Sequence, residues 1–149
     1  MYFVDTNIFV RYLTKDDPAK AYACLELFKQ AERNETVLFT SETVIAEVAY
    51  VLSSPRLYGL THAEIRERLV PLLTVSGLKL PDKTVCLRAL EIYAAHAVDF
   101  EDALAVAHME RHHIPIIYSY DRDFDKISTV QRMEPASTQF LETPPGATP

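Results

Sequence analysis

Acidic residues recur along this chain at places where a fold can gather them. Asp5 follows the apolar run Tyr2-Phe3-Val4, and Glu47 interrupts the apolar segment Ile45 to Val51. Asp99 and Asp102 open a stretch of helical periodicity, and Asp121, Asp123 and Asp125 follow the cluster Ile116-Ile117-Tyr118. Clustered carboxylates repel, raise one another's pKa values and are tolerated mainly when a cation neutralises them. Hard oxygen donors with few histidines nearby favour Mg2+ or Mn2+ over zinc. Mg2+ keeps several of its waters, so some acids of such a set act from behind water. The chemistry that suits the set is phosphodiester hydrolysis, in which one metal lowers the pKa of an attacking water and a second stabilises the leaving oxygen.

For these acids to meet, the elements between them must form one compact unit. The 149 residues suffice for one domain with a real core and are too few for two ordinary ones. Hydrophobic residues at 48% and charged residues at 24% match a folded, water-soluble protein rather than a disordered one. No stretch reaches the roughly 18 apolar residues of a membrane span, and the start lacks the basic-then-apolar pattern of a signal peptide, so a cytoplasmic location without membrane attachment is expected. Cys24 and Cys86 fall in helical patterns and are expected as buried, reduced thiols. The net charge of −6 argues against a broad basic face for nucleic acid. It does not exclude a nuclease, because bound cations reverse the field inside an acidic pocket.

The pattern reads as strands alternating with helices. Met1 to Val4 is a short buried strand, Asn7 to Leu13 a short helix, and Asp16-Asp17-Pro18 starts a helix that runs to Arg33. Val37 to Phe39 is a second strand, followed by a strongly apolar helix from Glu42 to Ser53 with Thr40 or Ser41 as cap. Thr61 and Glu64 form a capping box for the next helix, which Pro71 should kink or shorten. Leu78 to Leu80 is a weak strand, and helices follow from Pro81 to about Ala97 and from Phe100 to His113. Ile114 to Tyr118 is a buried strand, Asp121 to Ile127 a helical turn, and Val130 to Met133 a last strand. This order predicts a three-layer α/β/α sandwich with a central, mainly parallel sheet and right-handed crossovers. The domain should span residues 1–135. The threonine-, proline- and glycine-rich residues 136–149 are expected to be a flexible tail.

In a parallel α/β sheet, ligands gather outside the carboxyl ends of the strands. Asp5 ends the first strand, and Asp121 follows the strand that closes at Tyr118. Asp99 and Asp102 head a helix that runs back to the same edge. Glu47 lies about 7.5 Å along its helix from that edge and on the flank of the buried stripe Val44, Ile45, Val48, Val51 and Leu52. Plainer readings exist for each acid: helix capping for Asp99 and Asp102, a solvated turn for Asp121, Asp123 and Asp125, and a boundary glutamate for Glu47. Asp5, ending a buried strand, has fewer structural uses. His108 and His112 are four apart on a helix, but their neighbours Glu110 and Arg111 suggest a solvated face rather than a zinc site. Arg11, Arg56 and Tyr58 could meet a phosphate or a base.

At these residues the chain resembles the PIN-domain ribonucleases, in particular the toxins of VapBC-type toxin–antitoxin modules, from Tyr2 to about Glu134. Val4-Asp5-Thr6-Asn7 followed by Arg11-Tyr12-Leu13 is similar to the family's opening, in which the aspartate is a metal ligand and the Thr and Asn support it. Ile45-Ala46-Glu47-Val48 is similar to its second acidic motif, Val98 to Leu104 to its third, and Ser119-Tyr120-Asp121-Arg122-Asp123-Phe124 to its last. The family's last motif often begins with threonine, and Ser119 keeps the hydroxyl. The resemblance implies an Mg2+- or Mn2+-dependent endoribonuclease in which Asp5, Glu47, Asp102 and Asp121 are catalytic. It implies Asp5, Asp102, Asp121 and Asp123 as metal ligands and Thr6, Asn7, Asp99 and Ser119 as supporting residues, and Arg11 is the candidate for contact with the substrate. It further implies a structured RNA target, products with 5′-phosphates, a cognate antitoxin that blocks the cleft, and a homodimer. The choices between Asp99 and Asp102, and between Asp121 and Asp123, as direct ligands stay open. A catalytically silent PIN-like interaction module and a nuclease acting on DNA are the alternatives. A haloacid-dehalogenase-type phosphatase needs an acid where Asn7 stands, and a phospho-receiver domain needs adjacent acids after the first strand and a lysine after a late one.

Overall fold

The computed structural model describes residues 1–136, so the expected tail lies almost wholly outside the described residues. The elements follow in the order β1 (Tyr2–Phe3), α1 (Thr6–Thr14), α2 (Pro18–Glu32), β2 (Leu38–Phe39), α3 (Glu42–Ser53), α4 (His62–Leu73), β3 (Leu78–Lys79), α5 (Lys83–Ala95), α6 (Phe100–Arg111), β4 (Ile116–Tyr118), a 3₁₀ turn (Arg122–Lys126) and β5 (Gln131–Met133). The alternation is that of an α/β fold, and every strand pairing among the described residues is parallel.

Local chemistry sets the boundaries. Asp17 caps α2 by accepting the Lys20 amide, with Pro18 in the first turn. Ser41 caps α3 by accepting the Val44 amide. Thr61 and Glu64 complete the capping box of α4. Pro71 does not stop that helix at once, since α4 runs to Leu73 and closes two residues beyond it. Gly77 is buried where β3 begins; a Cβ there would meet the Ala31 carbonyl oxygen at 2.3 Å, so this approach of chain to the end of α2 requires glycine.

One core runs through the helices, with Phe9, Ile45, Val48, Leu52, Ile65, Leu69, Leu73, Leu90 and Val106 fully enclosed. Helices α5 and α6 pack together, α4 packs on α5, and α3 touches α1, α4 and α6. Cys24 and Cys86 are buried free thiols, and burial pushes the Cys86 thiol up to about 12, beyond reactive range.

The strands differ from expectation in two respects. They fall into two sheets, one of order β1-β2-β3 and one pairing β4 with β5. The first and fourth strands are also not buried: Tyr2, Phe3, Ile116 and Tyr118 are exposed, and only Val4 and, in part, Ile117 face inward. β1 bonds to β2 alone and β4 to β5 alone, so each is an edge strand with one row of backbone groups open. Side chains stand across the sheet, so the exposed rings and Ile116 mark faces that no described element covers.

Candidate metal centre

The start of α6 is the middle of the site. Asp99 precedes the helix in extended conformation, and its side chain makes no capping hydrogen bond, which removes the simplest structural role for it. Phe100 and Ala103 face the core, and that seats the intervening Asp102 half-buried at the helix N-terminus. The helix dipole favours acids in this first turn.

The last motif supplies the other side. The Ser119 hydroxyl accepts the Asp121 amide at 3.0 Å, and Asp121 Oδ1 in turn accepts the Asp123 amide at 2.9 Å. The two bonds fold residues 119–123 into a tight turn that directs Asp121 and Asp123 toward Asp102. One carboxylate oxygen from each of Asp102, Asp121 and Asp123 lies within 4.8 Å of the others. Asp123 also meets Lys126 Nζ at 2.6 Å.

The electrostatics of this cluster are unfavourable as it stands. Burial is the largest influence raising the Asp102 carboxyl above its ordinary pKa, and the charges of Asp121, Asp99, Asp123 and Glu101 push it the same way. No hydrogen bond to the Asp102 carboxylate occurs among the described residues. A cleft of about 500 Å³ opens beside it, lined by Asp99, Glu101, Asp102 and Asp121 together with Tyr50 and Pro55, and no lysine or arginine lines it. Three oxygen donors at this spacing, with no cation of the chain to neutralise Asp102, fit a hard divalent ion.

Asp5 and Glu47 form a second group. Thr6, buried at the start of α1, donates its hydroxyl to Glu47 Oε2 at 2.7 Å and so ties the first motif to α3. Asn7 Nδ2 donates to Asp5 Oδ2 at 3.4 Å. Asp5 is exposed and is not among the three acids that converge. Glu47 borders a pocket that shares Tyr50 and Glu101 with the Asp102 cleft, so the two groups lie on adjoining surface.

The remaining candidates have other partners. Arg11 pairs with Asp16, whose second partner is the Tyr58 hydroxyl at 2.6 Å. The hydrogen bond from Tyr58, then that from Arg11, holds the Asp16 carboxyl down to about 2. His108 meets Glu42 at 3.2 Å, and His112 is exposed, so the pair does not converge on a common ion. Sequence reasoning did not single out Tyr50 or Glu101. Only their place between two acid motifs marks them, and that place depends on how α3 lies against α6.

A solved structure similar to this chain is that of VapC20 of Mycobacterium tuberculosis, described as a sarcin-ricin loop cleaving toxin; the likeness has 24% identity, covers 84% of this chain and 93% of that one, and has a TM-score of 0.39. No curated protein matches the sequence. The PIN domain model matches residues 2–130, a span that takes in all four acidic motifs, and the chain therefore belongs to the PIN-domain family.

Proposed function

We propose that this protein is a divalent-metal-dependent endoribonuclease, the toxin of a toxin–antitoxin pair. The observation that carries the reading is the convergence of Asp102, Asp121 and Asp123, with Asp102 and Asp121 lining one cleft and Asp102 left without a cationic partner. Membership of the PIN-domain family supports the nuclease assignment, and the motif resemblance supports RNA as substrate.

In this reading Asp102, Asp121 and Asp123 hold Mg2+ or Mn2+, with Asp5 as a further ligand drawn from the resemblance. The bound ion supplies Lewis acidity toward the phosphate and a lower pKa for water. The chain's residues orient this chemistry. Ser119 fixes the turn that presents Asp121 and Asp123, Asp99 adds negative charge at the rim, and Asn7 steadies Asp5. Thr6 occupies one oxygen of Glu47, and Glu47 Oε1 is the atom that would accept a proton from the attacking water. Arg11, being paired to Asp16, serves the loops around the cleft more than the substrate. A cognate antitoxin, a homodimer and a cytoplasmic setting complete the reading by resemblance. Among the described residues no helix is long and apolar enough to cross a membrane.

The test is incubation of antitoxin-free protein with total RNA in Mg2+ or Mn2+, beside EDTA and Asp102→Asn controls. Discrete fragments with 5′-phosphates, absent from both controls, are expected. RNA left intact by protein that binds metal would shift the reading to a DNA substrate or a silent interaction module.

A further inference from the structure

No lysine or arginine lines the acid cleft, and Lys126 beside it is engaged by Asp123, so contacts to the bases of a substrate strand fall to the neutral walls. Three aromatic side chains line it. Tyr93 and Phe100 belong to the core at 2% exposure each, whereas Tyr50 is 68% exposed. Tyr50 stands on α3 one turn beyond Glu47, on the same face of the helix. It borders both the Asp102 cleft and the Glu47 pocket, so any strand reaching from one acid group to the other passes it. Packing gives no reason for a large ring there, since the buried face of α3 is already filled by Val44, Ile45, Val48 and Leu52.

The wall beside Tyr50 is held in place. The Ser54 carbonyl accepts the amides of Leu57, Tyr58 and Gly59 at 3.0, 3.1 and 2.9 Å, and the turn closes through Gly59 at φ +58°. The Tyr58 hydroxyl then anchors the loop to Asp16 and, through it, to Arg11. Pro55, which shares the cleft with Tyr50, is thus carried on a fixed loop. A rigid, flat-sided recess costs little ordering when it takes up a planar ligand.

We propose that Tyr50 is a stacking platform for a nucleobase of the strand whose phosphate lies at the acid cluster, with Pro55 bounding the same recess. This rests on the nuclease reading above and adds a residue that holds the substrate strand. Aromatic stacking is tolerant of base identity and is worth about 1–3 kcal/mol per base, which corresponds to about fivefold to a hundredfold in affinity.

The experiment is equilibrium binding of a fluorescent oligoribonucleotide in Ca2+, by anisotropy, with each nucleotide in turn made abasic. The wild type, Tyr50→Ala and Tyr50→Phe are compared, and cleavage of the same oligonucleotides is then followed in Mn2+. In the wild type, removing one base should weaken binding about tenfold. Tyr50→Ala should bind about tenfold more weakly and be indifferent to that base, and Tyr50→Phe should behave as wild type. Equal binding by wild type and Tyr50→Ala, or the same abasic penalty in both, overturns the platform whether or not the RNA is cut. Base-dependent binding through Tyr50 without cleavage counts against the hydrolase reading alone.

Discussion

The two acid groups flanking Tyr50 differ in how their charge is answered. Glu47 and Asp5 receive neutral donors from their own neighbourhood, a hydroxyl from Thr6 and an amide from Asn7, which satisfy lone pairs without bringing positive charge. Asp102 receives no hydrogen bond from the described residues and is crowded by Asp121, Asp99, Asp123 and Glu101. The first group is stable as an exposed, hydrogen-bonded arrangement. The second becomes favourable when a cation enters, because the Coulomb cost of keeping three carboxylates together is then offset. In the proposed reading, that cation is Mg2+ or Mn2+.

The largest effect should come from the crowded group. Asp102→Asn removes the central donor, and metal-dependent cleavage should fall by more than about a hundredfold, as expected for a loss at the ligand itself. The same variant relieves repulsion, so its metal-free melting temperature should be no lower than that of the wild type while the rise on adding Mn2+ disappears. Asp5→Asn sharpens the contrast: it should lower cleavage and diminish the Mn2+-induced rise by less than Asp102→Asn does. A rise equal to that of the wild type would take Asp5 out of the ligand set.

Smaller effects separate the two groups further. Lys126 competes with a cation for Asp123, so Lys126→Ala should tighten Mn2+ binding by about threefold, the scale of an exposed ion pair, in a calorimetric titration. Unchanged or weaker affinity would mean that the lysine does not compete. Thr6→Val removes the hydroxyl from Glu47 and should cost about 1 kcal/mol of folding stability with a far smaller loss of cleavage than Asp102→Asn. Chemical denaturation and initial rates measure the two together.

The smallest effect concerns the strut behind the cleft. Asp16 is held at about 2, below the ordinary carboxylate value near 4. A depressed acid stabilises the fold above its unfolded pKa and loses that contribution as pH falls through the folded value. Wild type and Tyr58→Phe should therefore differ in melting temperature at neutral pH and converge between about pH 4 and pH 2. A difference that persists at pH 2 would place the role of Tyr58 in packing rather than in the bond to Asp16.

Several features were legible in the chain because they depend on near neighbours. The capping box at Thr61 and Glu64 and the caps at Asp17 and Ser41 rest on side chains that bond backbone groups three residues away. The four acidic motifs were likewise readable, together with the α/β alternation that separates them. Less legible was the exposure of Tyr2, Phe3, Ile116 and Tyr118, because an apolar run specifies a strand but not whether a neighbour covers it.

The sequence by itself determined which residues carry charge, how the helices begin and end, and that parallel strands alternate with helices. Only the tertiary structure decided that Asp102 meets Asp121 and Asp123 while Glu47 turns to Thr6, and that Tyr50 stands between these groups. The physical reason is range. Capping and turn bonds close over a few residues and repeat wherever the pattern recurs, whereas the joining of Thr6 to Glu47 spans 41 residues of chain and follows from how whole helices pack.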